Sequence, residues 1–314
     1  MSCWKHCGMP MVGPEPCGLI LLDKPPGPTS HDMVDEVRGL VGTTRVGHAG
    51  TLDPMADGLL VILVGRASKL QPYVPGDPKV YRGTVVLGII TDTMDAEGKV
   101  REVVPCEATE EEVAAAVTSL AGEREQVPPM YSAVKHGGKP LYYYARRGRE
   151  VERKGRKITV YGAEMTAFRR AGETAEVDIT VSCSPGTYVR EIAFHLGRIL
   201  GCGGMLSGLR RLASGPFRVE EAMTPRKLRS LFLAGEKVVL PPLEALRGYK
   251  VLRLRREYED RARNGAPLSL DMFLEGVEAP GEGEMVAVTA GEELIGVYER
   301  SGGKAHVLRA KRIL

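Results

Sequence analysis

The stretch RVGHAGTLDPMADGLLVILVG, residues 45–65, decides the fold because it joins a glycine-hinged turn to an unbroken apolar run. The turn brings His48 and Asp53 close together in the chain, and the run that follows includes Leu59 to Val64. Such a run is typical of a fully buried strand or of a turn of core helix, and periodicity does not separate the two. Either structure places the turn at the edge of a hydrophobic core.

Asp53 in this turn has two interpretations. In the first, Asp53 caps the N-terminus of a helix and Pro54 takes its first position, which are favoured positions for both residue types. In the second, Gly47 and Gly50 let the backbone pass close to a ligand, and Pro54 holds Asp53 in an extended conformation. The carboxylate would then project from a rigid turn as a candidate nucleophile or base.

The composition is that of an ordinary globular protein. The chain has 314 residues, of which 43% are hydrophobic and 26% are charged. This length favours one large domain plus a smaller one. The longest aliphatic run is too short to span a bilayer and no signal peptide is evident, which predicts a cytoplasmic protein without membrane contact. Motifs for phosphate loops, dinucleotide binding and metalloproteases are absent, so the sequence predicts no cofactor and no catalytic metal.

Positive charge is concentrated in one segment. Between Lys135 and Arg170 there are eleven Lys and Arg residues against three Glu, although the whole chain has a net charge of only +3. Four tyrosines, Tyr131 and Tyr142 to Tyr144, are interleaved with these cations. Aromatic rings beside cations favour nucleic-acid binding over a merely solvated face. Residues 126–157 are also too long for a passive connector, and we expect a functional arm.

The first 17 residues are predicted to be a disordered tail. Glycine and proline interrupt them, and they carry Cys3, His6, Cys7 and Cys17. All four are possible zinc ligands, but their spacing matches no common zinc finger. With no pair of closely spaced cysteines elsewhere, reduced thiols are expected.

Regular elements can be predicted along the rest of the chain. We expect strands at Leu19–Leu22, at KVYRGTVVLG (79–88) and at AEVDITVSC (175–183), where alternate side chains face the core. Capping boxes begin two helices, Thr29 with Asp32 and Thr109 with Glu112, and Gly122 ends the second. A third helix follows Thr187 as N-cap and ends at Gly201. After Pro242, short strands such as MVAVTA predict a small β-domain over residues 249–314.

Arg190 breaks a local rule. It falls in the first turn of the third helix, where the helix dipole disfavours a cation by roughly 0.3 to 1 kcal/mol. Such exceptions concentrate at functional sites, although the neighbouring Glu191 could offset the charge. A buried carboxylate partner for Arg190 explains the exception better.

Several motifs together resemble the bacterial TruB family of tRNA pseudouridine-55 synthases. They are LLDKPPGPTS (21–30), VGHAGTLDPMADGLL (46–60), KVYRGTVVLGIITDTMDAEG (79–98), VPPMYSAVKHGGKPLYYYARRG (127–148) and SPGTYVREIAFHLG (184–197). They follow the family's order over most of residues 18–245, and residues 249–314 resemble a PUA domain more loosely. The resemblance implies an α+β pseudouridine synthase fold, with a central mixed, largely antiparallel sheet flanked by helices, and a small C-terminal β-barrel.

The resemblance also implies roles for individual residues. Asp53 corresponds to the essential aspartate, which acts by attack on the base, by attack on the sugar or by removal of a ribose proton. Tyr81 corresponds to the aromatic residue that stacks on the flipped uracil, and Arg190 to the arginine that pairs with the aspartate. His48 resembles a residue that enters the T-loop. Tyr188, Leu209 and Lys24 correspond to further pocket or framework positions. Asp95 either anchors Arg190 or only forms a turn.

Three functions are therefore compared. The first is a stand-alone, monomeric enzyme that binds the T-arm of tRNA with its arm as a thumb and the acceptor stem with its C-terminal domain, without cofactor or obligatory protein partner. The second is the catalytic subunit of a guide-RNA-dependent synthase, which has a related core. The third is a tRNA-folding chaperone or RNA-binding protein. The long arm favours the first.

Overall fold

A computed structural model of the chain describes residues 15–274, 278–302 and 307–314. Within these residues the α-helices are α1 (Ser30–Val41), α2 (Glu110–Thr118), α3 (Leu141–Ala145), α4 (Val189–Ile199), α5 (Pro225–Leu233) and α6 (Glu259–Arg263). The strands are β1 (Gly18–Lys24), β2 (Val46–Ala49), β3 (Asp57–Val64), β4 (Lys79–Leu87), β5 (Ile89–Thr91), β6 (Val100–Val103), β7 (Gly122–Gln126), β8 (Lys135–His136), β9 (Lys139–Pro140), β10 (Arg156–Ala171), β11 (Thr174–Cys183), β12 (Gly204–Ser214), β13 (Phe217–Arg218), β14 (Lys250–Arg253), β15 (Leu268–Ser269), β16 (Met285–Ala290), β17 (Glu293–Arg300) and β18 (Val307–Ile313).

The large sheet carries the predicted site. Its strands follow the order β1-β3-β12-β4-β11-β10-β7, with β2 added beside β3 and β13 beside β12. Strands β3 and β12 are parallel, whereas the other pairs in this order are antiparallel. The predicted mixed, largely antiparallel sheet is confirmed.

Strand β3 shows why the apolar run after Asp53 is unbroken. Leu60 and Ile62 contact the cluster beneath α1, while Leu59, Val61 and Leu63 contact a second cluster that includes side chains of β16 and β17. A strand covered on both faces needs no polar alternation. The run is therefore a buried strand, which settles the ambiguity between strand and helix.

The predicted helix starts are mostly confirmed. Both capping boxes are present, at α1 with Thr29 and Asp32 and at α2 with Thr109 and Glu112. The predicted end of α2 is wrong, because the helix stops at Thr118 and Gly122 instead opens β7.

The predicted N-cap of α4 is also wrong by one residue. Tyr188 holds that position, and the hydroxyl of Thr187 instead donates a hydrogen bond to the Ser184 carbonyl at 2.9 Å. In place of a local cap, the side chain of Gln126 binds the backbone of Tyr188. Its amide oxygen accepts from Tyr188 N at 2.7 Å, and its amide nitrogen donates to the Tyr188 carbonyl at 3.1 Å. Tertiary structure thus supplies what the local sequence lacks.

The C-terminal strands form a second sheet in the order β14-β16-β17-β18-β15, which curls around its own apolar core. Ala287 and Val297 of this sheet pack in one cluster with Leu59 and Val61 of β3. The hydroxyl of Tyr249 donates to the Tyr73 carbonyl at 2.9 Å across the same junction. The small barrel-like β-domain predicted from the sequence is present, and it is docked on the large sheet.

Residues 127–155 form an excursion between the paired ends of β7 and β10, where Gln126 lies opposite Arg156. This excursion, the arm, contains the β8–β9 hairpin and helix α3. Its two ends are adjacent in the sheet, so the arm is a single projection above the β7–β10 edge.

Of the N-terminal candidate zinc ligands, Cys3, His6 and Cys7 lie outside the described residues. Cys17 is half-buried against the cluster shared by the two sheets, and Glu15 lies 3.3 Å from Arg45. Residues 15–17 therefore contact the folded chain, although the tail was predicted to extend to residue 17. In the described ranges, no helix has the length and apolar character needed to cross a membrane.

Candidate active site

A cavity of about 230 Å³ opens where β4, β12, the start of α4 and the loop after β2 meet. The arm closes one side through Ala133. The lining residues are Thr51, Leu52, Asp53, Lys79, Tyr81, Ala133, Gly186, Thr187, Tyr188, Val189, Arg190 and Leu209. Five of the residues that the sequence predicts for the site, Asp53, Tyr81, Tyr188, Arg190 and Leu209, therefore meet in this cavity.

The loop that carries Asp53 is fixed by three side chains from other elements. Ser30 of α1 accepts from Leu52 N at 2.8 Å and donates to its carbonyl at 3.0 Å. The ammonium of Lys24 donates to the carbonyls of Pro54 at 3.2 Å and Ala56 at 2.6 Å. Buried polar groups are held firmly when each finds a partner. The carboxylate thus projects from a loop whose backbone has little freedom.

Arg211 supplies the third of these tethers. The side chain is fully buried in β12, and its Nη2 and Nη1 donate to the carbonyls of Gly50 at 3.0 Å and Thr51 at 3.2 Å. Its Nε donates to the Leu59 carbonyl at 2.7 Å. One guanidinium therefore joins the loop before Asp53 to the strand after it.

Asp53 does not begin a helix. A single turn follows it, closed by a bond from Ala56 N to the Asp53 carbonyl at 3.1 Å, and β3 begins at Asp57. The helix-cap interpretation is therefore wrong. Gly50 forms the turn before Asp53 with a φ of +96°. Residues that carry a side chain rarely adopt this conformation.

Arg190 lies between two carboxylates. Its Nε is 3.1 Å from Asp53 Oδ2 and its Nη1 is 3.2 Å from Asp95 Oδ2. The Arg190 and Asp95 side chains are only 3% and 6% exposed, whereas that of Asp53 is 33% exposed. Nη2 of Arg190 also donates to the Tyr131 carbonyl of the arm at 2.9 Å. The buried carboxylate partner predicted for Arg190 is Asp95. Asp53 is the carboxylate of the two that faces the cavity.

Burial is the main influence on the ionisation of Asp53. It raises the pKa of this carboxyl, and the negative charge of Asp95 acts in the same direction. The guanidinium of Arg190 lowers the pKa but only partly offsets these effects. Arg190 is thus the main group that keeps a proton from binding to Asp53.

Tyr81, Tyr188 and Leu209 are the predicted residues that form other parts of the cavity wall. Tyr81 is 6% exposed, belongs to the core of the large sheet and still presents part of its ring to the cavity. Burial raises the pKa of Tyr81 and of Tyr188, so both phenols are neutral at physiological pH. A flat ring, an apolar side chain and a carboxylate on adjoining walls can hold a planar polar ring close to Asp53.

Three predicted residues lie outside the lining. Asp95 stands behind Arg190, and Lys24 is fully buried beneath the Asp53 loop, where burial lowers its pKa to about 8. His48 lies on β2, half-buried, and its Nδ1 has no hydrogen-bond partner among the described residues. Burial and the nearby cations lower the pKa of His48, which favours the neutral imidazole.

Sequence reasoning missed Arg211, Ser30 and Lys79. Arg211 had a detectable signal, because alternation places it on the same face of β12 as Leu209, opposite Tyr81 of β4, where an apolar residue is expected. A cation at such a position indicates a buried partner. Ser30 had no signal, because its bonds to Leu52 depend on how α1 packs against the loop.

Two family models together match residues 38–246 of the chain. The model for the N-terminal domain of the TruB family pseudouridylate synthases matches residues 38–189, and the model for the tRNA pseudouridylate synthase B C-terminal domain matches residues 190–246. Asp53, Tyr81 and Tyr188 lie in the first match, and Arg190 and Leu209 lie in the second.

Curated relatives agree with these matches. A protein of Aromatoleum aromaticum named tRNA pseudouridine synthase B is 47% identical over 232 residues, which cover 74% of each chain. A protein of the same name from Geobacillus thermodenitrificans is 38% identical over 302 residues, which cover 94% of this chain and 99% of the relative.

Solved structures show the fold. A chain in the crystal structure of a Cbf5-Nop10-Gar1 complex superposes with a TM-score of 0.71 at 24% identity and covers 94% of this chain and 84% of that chain. This coverage extends well beyond the large sheet, so the fold similarity includes the C-terminal strands. With the family models, the relatives and the cavity taken together, the chain belongs to the TruB family of pseudouridylate synthases.

Proposed function

We propose that this chain converts uridine 55 in the T-loop of tRNA to pseudouridine, with Asp53 as the catalytic carboxylate acting on a flipped-out base. The observation that carries the proposal is the Asp53–Arg190 contact of 3.1 Å at a cavity that Tyr81 and Leu209 also line. The curated relatives bear the name tRNA pseudouridine synthase B, which supports tRNA as the substrate.

The reaction is an isomerisation. The bond from uracil N1 to ribose C1′ breaks, the ring turns, and a new bond joins C5 to C1′. N1 ends with a proton and C5 loses one, so no atom is gained or lost and no redox partner is required. A single fixed carboxylate can take part as a nucleophile, toward the base or the sugar, or as a base toward a ribose proton.

The target base must leave its stack before Asp53 can reach it, at a cost of a few kcal/mol. In this proposal Tyr81 stacks on the uracil, Leu209 and Tyr188 confine the ring, and the neutral His48 enters the T-loop and occupies space near the displaced base. Lys24 and Asp95 act behind the site, on the loop and on Arg190 respectively. The contacts in the cavity offset the lost stacking.

The arm is proposed to act as a thumb on the T-arm. It carries stacked cations and rings, with Lys139 and Arg147 over the Tyr143 ring at 4.4 and 3.6 Å from its centroid. Such pairs suit RNA, since the cations bind phosphates and the rings stack on bases. Residues 249–314 are proposed to be a PUA-like domain that holds the acceptor stem.

We further propose that the enzyme acts as a monomer in the cytoplasm, without guide RNA, protein partner or cofactor. The 38–47% identity to proteins named tRNA pseudouridine synthase B supports this proposal over a guide-dependent subunit.

The test is to incubate an unmodified tRNA transcript with the pure protein alone and to map pseudouridine at single-nucleotide resolution. We expect pseudouridine at position 55. Modification elsewhere, or only after a guide RNA or second protein is added, would contradict the proposal.

A charge-removal variant tests the thumb. Arg146, Arg147 and Arg149 are exposed directly after α3, and replacing all three by Ala should weaken tRNA binding. Each lost phosphate contact reduces the salt dependence of the binding constant by roughly 0.7 to 0.9 logarithmic units per decade of salt. The measurement is Kd at several salt concentrations.

The matched control replaces Arg226, Lys227 and Lys237 by Ala, which removes equal charge from α5 and the loop after it. Its salt dependence should stay close to that of the unmodified protein. An equal change in both triple variants would mean that net charge, rather than the arm, sets the affinity.

A further inference from the structure

Lys79 is a cavity residue that the proposed function leaves without a role. It opens β4, two residues before Tyr81, so that both side chains lie on the same face of the strand. Both line the cavity that contains Asp53. Its ammonium lies beside the turn that precedes Asp53, where a Cβ added to Gly50 would be 2.9 Å from Lys79 Nζ.

The neighbours of this ammonium are positive or neutral. The same Cβ position is 3.6 Å from Arg211 Nη1, so two cations share the turn. The thiol of Cys183, opposite Lys79 in the sheet, has its pKa raised by burial to about 11 and is uncharged at neutral pH. Asp77, the nearest acid in sequence, accepts a hydrogen bond from the Tyr161 hydroxyl at 2.9 Å. Among the described residues, no carboxylate lies within ion-pair distance of Lys79.

Holding Lys79 as a charged ammonium at this position costs free energy in the protein without RNA. Burial and the charge of Arg211 lower its pKa to about 8. Arg211 donates to the carbonyls of Gly50, Thr51 and Leu59, whereas the ammonium of Lys79 has no hydrogen-bond partner among the described residues. The cations that lower the pKa of Asp53 most are Arg190 and Lys24. Lys79 is therefore a charged donor in a cavity wall that forms no ion pair with a carboxylate of the described residues.

We propose that Lys79 binds one of the two phosphates that flank the flipped uridine. The uracil ring carries no charge, so the phosphates of the strand that enters and leaves the cavity are the anions an ammonium can pair with there. Lys is well suited to contact a phosphate as a point charge. The contact is made only when the nucleotide is extruded, so it favours the flipped state over the stacked one. This inference rests on the proposed function.

The test is a double-mutant cycle between protein and RNA. Lys79→Met is combined with a T-arm stem-loop in which a neutral methylphosphonate replaces either phosphate next to the target uridine, and Kd is measured in an Asp53→Asn background. At one of the two phosphates, either change alone should weaken binding by roughly ten- to a hundredfold. The two together should weaken it no further.

Losses that multiply at both phosphates would overturn the proposal and point to a contact with a uracil carbonyl. Unchanged affinity of the Lys79→Met variant would overturn it as well. Lys237→Met, an exposed lysine outside the cavity lining, is the matched control and should bind like the parent. The melting temperature of Lys79→Met should not fall, because the variant removes a desolvated charge beside Arg211. Wild-type pseudouridine formation, assayed in parallel, separates a failure of this inference from a failure of the proposed function.

Discussion

Replacing Asp53 by Asn is expected to abolish pseudouridine formation while tRNA binding is retained. Asn has nearly the same shape but can act neither as a nucleophilic carboxylate nor as a base, and loss of a general base alone typically costs about 10² to 10⁴-fold in rate. The loop itself should be unaffected, because Ser30, Lys24 and Arg211 hold it through backbone groups. The measurement is single-turnover product formation beside Kd.

Asp57→Asn is the matched control. Asp57 lies four residues further on, at the start of β3, and its carboxylate pairs with Arg210 at 3.0 Å outside the cavity lining. Arg210 keeps Asp23 as a second partner at 2.9 Å, so the control should fold and turn over. An Asp53→Asn variant with undiminished product yield would remove the catalytic assignment, and one that no longer binds tRNA would mark Asp53 as structural.

Replacing Arg190 by Met is expected to lower both the stability and the activity of the protein. It leaves the carboxylate of Asp95, which is 6% exposed, without a cation and, among the described residues, with only the hydrogen bonds from Thr93 and Glu97 N. Breaking a buried ion pair costs about 3 to 5 kcal/mol. The free energy of unfolding from urea titration measures this loss.

The same variant should change the pH dependence of catalysis. Burial raises the pKa of Asp53 and Arg190 lowers it, so removing Arg190 raises the pKa further. Less of the carboxylate is then ionised at a given pH, and the acid limb of kcat/KM moves to higher pH. An acid limb that stays in place would contradict this role of Arg190.

A double variant separates the two effects. Asp95→Asn added to Arg190→Met removes the unpaired buried charge and should recover much of the lost stability. It should not recover the rate, because Asp53 still lacks its cation. Recovery of activity along with stability would mean that Arg190 supports the fold and not the carboxylate.

Much of the fold could be predicted because local patterns and tertiary structure agree. The capping boxes of α1 and α2 and the alternation in β11 act over a few residues, and the structure contains all three. Prediction failed where distant contacts decide. The amide of Gln126 caps α4 from β7, so no local residue needed to do so.

The candidate site was predictable in part for the same reason. Arg190 stood out because a cation in a first helical turn is locally unfavourable, and Asp95 compensates for it from another part of the chain. The roles assigned to Asp53 and Tyr81 depended on resemblance to the family. Lys79 could not be recognised from sequence, because its lack of an acidic neighbour is evident only once Gly50, Arg211 and Cys183 are placed around it.

The most direct test of the account is a crystal structure of the Asp53→Asn variant bound to a T-arm stem-loop RNA. We expect the target uridine to leave its stack and lie against the Tyr81 ring, with residue 53 within about 3.5 Å of the nucleotide atom that it attacks or deprotonates. A complex in which that uridine stays stacked in the RNA, or in which the RNA binds away from this cavity, would contradict it.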